Sequence, residues 1–183
     1  MIITIGGDAG SGKTTVSEML AKKLKYSFHS MGTMFRRIAI FQGLPVEELE
    51  KHASEHPHID KDLDDFQKKL GENEDNFVLE SRLGWKFIPH SFKIFLKVDE
   101  ELAAERVLKD HLDGKRKSER EFETLKEALA AIRQRRKLDL ARYKKLYKVN
   151  HLDPKHYDLV IDTTGKTVEQ VTKEILDELK KRK

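Results

Sequence analysis

The chain has 183 residues, a length that fits one domain with a single sheet and its covering helices. Charged residues make up 37% of it, and the formal net charge of +4 is too modest to favour nucleic acid as the main ligand. The absence of cysteine excludes a disulfide framework and a thiolate metal site. The sequence shows neither a signal peptide nor an apolar stretch of membrane-spanning length, so we expect a cytoplasmic protein.

Short apolar runs alternate with helical periodicity along the chain. The first run, Met1 to Ile5, predicts a buried strand that feeds a glycine turn, and helical spacing follows over Thr14 to Lys25. Residues 44–70 are strongly polar and helical. Further strands are expected at 26–30, 77–79, 92–98 and 157–162, and further helices at 35–41, 100–147 (broken near 112–114) and 168–180. Parallel neighbours need crossover connections, so this alternation predicts an α/β fold with a parallel sheet.

A glycine-rich segment separates the first predicted strand from the first predicted helix. It reads GDAGSGKT over residues 7–14 and matches G-x-x-x-x-G-K-[ST]. Glycines there let backbone N–H groups converge on phosphate oxygens at a helix N-terminus. Lys13 is placed to reach the β- and γ-phosphates, and the Thr14 hydroxyl to bind Mg²⁺. We predict that ATP with Mg²⁺ binds this loop through Gly7, Asp8, Ala9, Gly10, Ser11, Gly12, Lys13, Thr14 and Thr15.

A phosphate loop by itself does not specify the reaction. The chain is too short for most ATP-driven machines and lacks the N-K-x-D motif by which GTPases read guanine. Glu80 ends the third strand. The sequence leaves three roles open for its carboxylate: an acid linked to the bound metal ion, a cap or a partner of an arginine. Arg36 and Arg82 follow the second and third strands and so reach the sheet edge where the phosphate loop opens. Arginines can grip an acceptor phosphate bidentately, so this pair favours phosphoryl transfer.

The basic run at residues 133–142 is predicted to be helical. Arg135, Asp139 and Arg142 are spaced i, i+4, i+7 and share one helix face. Charge this dense indicates either an anionic ligand or a solvated helix with glutamate partners. Under the first interpretation the helix closes over ATP and excludes water from the transferred group.

Taken together, the motifs resemble those of the cytidylate kinases, especially the archaeal-type group. They are the phosphate loop, S-x-G-x-x-F-R at 30–36, H-P-x-I-D at 56–60, V-L-E-S-R at 78–82, K-I-F-L at 93–96 and Y-D-L-V-I-D-T-T at 157–164. The resemblance implies a P-loop NTPase three-layer sandwich on a five-stranded parallel sheet of order 2-3-1-4-5. It implies a single domain with a core (1–30, 71–108 and 136–183), a helical NMP-binding insertion (31–70) and a lid (109–135).

The resemblance also implies roles for individual residues in transferring the ATP γ-phosphoryl to CMP or dCMP. Catalysis would involve Lys13, Arg135, Asp139 and Arg142. Arg36 and Arg82 would hold the acceptor phosphate beside Ser30 and Gly32, and Arg106, Gly165 and Lys166 would lie against the adenine of ATP. Cytosine presents an amino donor at N4, so the candidates for accepting its hydrogen bond are Asp60, Asp64 and Gln67. We expect a monomer with small nucleotides as partners and no membrane association.

One position departs from the family pattern. Ser81 stands where these kinases usually have glycine, so its side chain would either crowd the acceptor phosphate or donate a hydroxyl to it. The segment 113–124 is also longer and more charged than expected. AMP, UMP and dephospho-coenzyme A therefore stay open as acceptors. A P-loop ATPase or switch associated with RNA is the alternative from another class.

Overall fold

One parallel sheet forms the centre of the fold. The computed structural model describes residues 1–56, 58–114 and 122–182. The strands of the sheet are β1 (Ile2–Gly7), β2 (Ser27–Ser30), β3 (Phe77–Glu80), β4 (Phe92–Lys97) and β5 (Leu159–Asp162). Their order is β2-β3-β1-β4-β5, and each neighbouring pair is parallel. The predicted parallel sheet and its strand order are therefore confirmed.

Helices connect the strands as the crossover argument requires. They are α1 (Lys13–Leu24), α2 (Met31–Phe41), α3 (Val46–Glu55), α4 (His58–Asn73), α5 (Gly84–Phe87), α6 (Glu100–Leu112), α7 (Leu125–Tyr147) and α8 (Val168–Lys181). The short helix α5 and a 3₁₀ turn at Pro154–His156 were not predicted, because neither is long enough to show a period. Part of the predicted lid, 115–121, and Pro57 of the predicted insertion lie outside the described residues.

Alternation along the strands builds a core on each face of the sheet. On β3, Val78 faces the cluster formed with α1 and α8, whereas Phe77 and Leu79 face the cluster that includes Leu70 of α4. All three strand residues are fully buried. The sheet is thus the middle of three layers, as expected. Two satellite clusters complete the packing, one within α2–α4 and one between α6 and α7.

The carboxyl edge of the sheet carries the loops that build the site. β1 ends at Gly7, where the Asp8 amide donates to the Leu96 carbonyl of β4 at 2.9 Å. β2 ends at Ser30, whose hydroxyl caps α2 by accepting from the Thr33 amide at 3.1 Å. The cap turns the chain straight from strand to helix. The phosphate loop, the start of α2 and the segment after β3 therefore lie side by side.

The backbone at Gly7 leaves no room for a side chain. Its φ is 147°, and a Cβ there would lie 2.2 Å from the Leu96 carbonyl oxygen. We expect Gly7→Ala to lower the free energy of unfolding by about 3 kcal/mol or more, since relief would require β4 to separate from β1. Urea denaturation followed by circular dichroism measures this loss.

Gly43→Ala is the matched control, because Gly43 also has a positive φ, 67°, but no atom within 4 Å of its ideal Cβ. We expect it to cost about 1 kcal/mol, the backbone strain alone. Equal losses in the two variants would show that the contact with Leu96 is unimportant.

Candidate active site

A cavity of about 640 Å³ opens at the carboxyl edge of the sheet. The phosphate loop forms one wall, and helices α2, α4 and α7 with the segments after β3 and β5 form the others. The structure brings most of the predicted site residues to this cavity. Those that line it are Ala9, Gly10, Ser11, Gly12, Lys13, Thr14, Thr15, Gly32, Arg36, Asp60, Asp64, Gln67, Arg82, Arg106, Arg135, Arg142 and Lys166.

The other predicted site residues do not line this cavity. They are Gly7, Asp8, Ser30, Asp139 and Gly165. The carboxylate of Asp8 accepts from the Val98 amide at 3.3 Å, which ties the phosphate loop to the end of β4. Gly165 has a φ of 70° and forms the turn after β5. These residues shape the loops around the cavity, and their contacts with a nucleotide stay predictions.

Lys13 folds back over the phosphate loop. Its ammonium donates to the Asp8 carbonyl oxygen at 2.6 Å. Burial lowers the pKa of Lys13 to about 8, and the nearby Arg82 and Arg135 push it in the same direction against the opposing effect of Glu80. An anionic ligand in the loop would favour the protonated form.

Glu80 joins the phosphate loop to the start of α2. Its Oε2 accepts from the Thr14 hydroxyl at 3.1 Å and from the Ser30 hydroxyl at 2.6 Å. The carboxylate therefore lies beside the predicted Mg²⁺ ligand, in the position expected of a metal-linked acid. A hydroxyl and a carboxylate are hard oxygen donors of the kind that Mg²⁺ prefers, so this pair fits the ion.

Asp139 is the buried centre of an arginine network. Only 4% of it is exposed, and its two oxygens lie 3.0 Å from Arg82 Nη2 and 3.4 Å from Arg142 Nη2. Asp139 and Arg142, which are three residues apart on α7, thus share one site with Arg82, which follows β3. Asp139 does not line the cavity; it positions two arginines that do.

Acids of the insertion reach across the cavity to α7. Arg135 Nη2 lies 2.9 Å from Glu50 Oε1, and Arg142 Nε lies 3.8 Å from Asp60 Oδ2. Glu50 and Asp60 are themselves buried. In contrast, Arg133 is exposed and pairs with Glu100 on the surface at 2.7 Å. Glutamate partners are therefore found for Arg133 and Arg135, and an anionic ligand for this helix stays a prediction.

One face of α4 presents polar side chains to the cavity. Asp60, Asp64 and Gln67 follow i, i+4, i+7 spacing, and each is at least nine-tenths buried. Asp64 accepts a hydrogen bond from the Tyr147 hydroxyl. Burial raises the pKa of Asp64 to about 6, although the bond from Tyr147 opposes that shift.

The Ser81 hydroxyl bonds to another side chain of the protein. It donates to Gln67 Oε1 at 2.5 Å. The effect of Ser81 on an acceptor phosphate, by crowding it or by donating to it, stays a prediction. Gln67 Oε1 keeps a second lone pair, so its role as a candidate acceptor from cytosine also stays a prediction.

Arg106 bridges the phosphate loop and the segment after β5. It donates to the Gly10 carbonyl at 3.2 Å and to the Thr163 carbonyl at 3.3 Å. Lys166 lines the same end of the cavity and pairs with Glu174 at 2.7 Å. The contacts of Arg106 and Lys166 with the adenine of ATP stay predictions.

Some functional candidates were missed by sequence reasoning. Tyr143 and Tyr147 follow Asp139 by four and eight residues on α7, so the helical period could have found them. Glu50 stands among several acids of the insertion, and nothing in the sequence distinguishes it. Only the packing of α3 near α7 selects Glu50.

Comparisons with known proteins identify cytidylate kinases as relatives of this chain. A model of the cytidylate kinase-like family matches residues 2–165. The cytidylate kinase of Methanobrevibacter smithii is 34% identical over 180 residues, covering 98% of this chain and 99% of that protein. The cytidylate kinase of Methanocella arvoryzae is 36% identical over 184 residues, 99% of each chain.

Solved structures support the fold alone. Shikimate kinase from Acinetobacter baumannii in complex with shikimate has a TM-score of 0.63 at 18% identity, over 100% of this chain and 94% of that one. This likeness confirms the expected three-layer architecture on a five-stranded parallel sheet. Within the described residues, no helix is long and apolar enough to span a membrane.

Removing the Asp139 carboxylate should be costly. Asp139→Ala leaves Arg82 and Arg142 without their shared buried anion, so we expect the free energy of unfolding to fall by about 3 kcal/mol. Asp177→Ala, which breaks an exposed pair with Lys180, should cost less than about 1 kcal/mol. Chemical denaturation compares them, and similar losses would contradict a structural role for the buried network.

The lowered pKa of Lys13 predicts that ATP affinity depends on pH. A lysine with a pKa of about 8 in the free protein is neutral above that pH, and only the charged form attracts phosphate. We expect the Kd of a non-hydrolysable ATP analogue to rise as the pH increases from about 8.5 to about 10, through the loss of the Lys13 charge. Titration calorimetry checks this, with Lys13→Met as the variant that lacks the dependence. A Kd that stays constant over this pH range would refute the lowered pKa of Lys13.

Proposed function

The chain belongs to the cytidylate kinase-like family, and from that premise we propose that it transfers the γ-phosphoryl group of ATP to CMP or dCMP. The products are ADP and CDP or dCDP. The observation that carries the proposal is one cavity with two kinds of lining. The phosphate loop with Lys13 provides one, and the polar side chains Asp64, Gln67 and Arg36 provide the other.

The donor end holds the triphosphate. Backbone N–H groups of the phosphate loop and the Lys13 ammonium bind the β- and γ-phosphates. Thr14 holds Mg²⁺, with Glu80 beside it at 3.1 Å from the hydroxyl. When bound, the ion neutralises charge on the phosphates. Arg106 positions the adenine, since it already joins Gly10 to Thr163.

The acceptor end holds the monophosphate in line with the γ-phosphoryl group. Arg36 and Arg82 bind its phosphate, and Arg135 and Arg142 bridge the donor and the acceptor from α7. The transfer is direct, without a covalent intermediate on the protein. Its barrier falls because the reactants are positioned and the charge on the moving group is neutralised.

Acidic partners keep these arginines in place before the nucleotides arrive. Asp139 holds Arg82 and Arg142, and Glu50 holds Arg135 at 2.9 Å. A phosphate dianion competes with a carboxylate for the same guanidinium. Nucleotide binding therefore exchanges the carboxylate partner of Arg135 for a phosphate, and α3 is then released from α7.

An acceptor assay with Arg82 variants tests the proposal. We expect CMP and dCMP to have the highest kcat/KM among the nucleoside monophosphates and dephospho-coenzyme A. Arg82→Ala should lower kcat/KM for CMP by about 100-fold, because the phosphate loses a charged bidentate donor. Arg82→Lys should recover only part of this, since an ammonium cannot bind bidentately.

Arg133→Ala serves as the matched control, because Arg133 lies on the same helix but pairs with Glu100 on the surface. Its kcat/KM should stay within about twofold of the unaltered protein. A tenfold preference for AMP or UMP would refute the acceptor, and full activity in Arg82→Ala would remove Arg82 from the site.

A further inference from the structure

A buried phenol lies among the arginines of the candidate site. Tyr143 follows Arg142 on α7 and is only 6% exposed, yet it lines the cavity. Its ring packs edge-on against the ring of His151, with 5.0 Å between the centroids, and lies 6.1 Å from the ring of Tyr147. The guanidinium carbon of Arg142 lies 5.1 Å from the centre of the same ring. These contacts hold the ring and so determine where its hydroxyl lies.

The Tyr143 hydroxyl acts as an acceptor within the protein. Arg142 Nη2 donates to Tyr143 Oη at 3.2 Å. A guanidinium has only donors, so the direction of this bond is fixed and the hydrogen of the hydroxyl takes no part in it. Arg82 interacts with the same hydroxyl and can likewise only donate. Both arginines line the cavity, so the hydroxyl belongs to its cationic part.

The hydrogen of this hydroxyl is left without an acceptor. Among the residues that the structure describes, none accepts it. The carboxylate of Asp139 is paired with Arg82 and Arg142 instead. A buried O–H group without an acceptor is rare, because it has given up its bonds to water. The hydroxyl can therefore donate to a ligand in the cavity.

The hydroxyl also keeps its hydrogen at neutral pH. Burial raises the pKa of Tyr143, and the negative charge of Asp139 acts in the same direction. Arg142 and Arg82 oppose this shift with smaller effects. A neutral phenol can accept from a guanidinium and donate to an anion at the same time. Tyr143 thus adds a donor to the cluster without adding a charge.

We infer that Tyr143 binds the phosphate of the acceptor nucleotide by donating a hydrogen bond from its hydroxyl to a phosphate oxygen. This inference rests on the proposed function, in which Arg82 binds that phosphate. A phosphate dianion presents only acceptors, so it complements a group of donors. The arginines supply the charge, and the packed ring of Tyr143 supplies a donor whose position is set before the nucleotide arrives.

The position of Arg82 favours the acceptor's phosphate over those of ATP. The triphosphate has its own donors in the backbone N–H groups of the phosphate loop and in Lys13. Arg82 comes from the segment after β3, and its pair with Asp139 at 3.0 Å brings it to the part of α7 that carries Tyr143. A phosphate bound by Arg82 is therefore the anion that the Tyr143 hydroxyl meets.

Binding measurements on Tyr143→Phe test the inference. The variant keeps the ring and its packing against His151 and removes only the hydroxyl. We expect the Kd of CMP, measured by titration calorimetry, to rise about tenfold, as for the loss of a hydrogen bond to a charged group. The Kd of a non-hydrolysable ATP analogue should not change. The Kd of cytidine, which has no phosphate and is measured by competition with CMP, should not change either.

A double-mutant cycle with Arg142→Ala separates a direct contact from an indirect one. If the hydroxyl acted only by holding Arg142, Tyr143→Phe would change the Kd of CMP no further once Arg142 is absent. For a direct contact we expect a rise of about fivefold or more to persist in that background. Thermal unfolding verifies that each variant folds. The ATP analogue makes the same distinction without the Arg142 variant, because displacement of an arginine that bridges both nucleotides weakens both.

Tyr157→Phe is the matched control. It also removes a phenolic hydroxyl, which donates to the His151 carbonyl oxygen at 2.6 Å, but Tyr157 does not line the cavity. The Kd of CMP in this variant should equal that of the unaltered protein. A similar rise in both variants would show that loss of a buried hydroxyl weakens CMP binding through general loosening of the fold, which would overturn the inference.

The other outcomes separate this inference from the proposed function. An unchanged Kd of CMP in Tyr143→Phe, with CMP still phosphorylated by the unaltered protein, overturns the role of Tyr143 alone. Equal losses for CMP and cytidine, or for CMP and the ATP analogue, also overturn it, because the hydroxyl would then act elsewhere than on the acceptor's phosphate. Failure of the unaltered protein to bind and phosphorylate CMP would overturn both proposals.

Discussion

The parallel pairing of β1 with both β3 and β4 is the constraint from which the site follows. Because the three strands run in the same direction, Gly7, Glu80 and Lys97 all end at one edge of the sheet. The phosphate loop begins where Gly7 closely approaches the Leu96 carbonyl, and it leads into α1, which begins at Lys13. Glu80 lies at this edge, and the other charged groups of the candidate site lie on connections that leave it.

Charge balance is the second organising feature. A site for two phosphorylated molecules must gather arginines, and such a cluster repels itself without anions. In the structure, buried carboxylates supply these anions, and Asp139 is the most deeply buried of them. Burying paired charges adds little net stability but defines where each guanidinium lies. The arginines are thus preorganised for charge that arrives with the substrates.

Hydroxyl groups hold polar side chains in place at the part of the cavity proposed for the acceptor. Ser81 and Tyr147 each occupy one oxygen of a side chain on α4, namely Gln67 and Asp64. Both bonds tie α4 to neighbouring elements and hold these two side chains at the cavity wall.

The sequence by itself determined the elements with strong local patterns. The phosphate loop is one contiguous motif, and the alternation of apolar runs with helical periods predicted the parallel sheet; the resemblance added the strand order. The pairs that define the site were decided by tertiary structure. Tyr147 and Asp64 are 83 residues apart, and Ser81 and Gln67 are 14 apart on different elements. Which acid meets Arg135 likewise depends on how α3 packs near α7. Local periodicity carries no information about such contacts, because hydrogen-bond partners are chosen by distance in the folded chain.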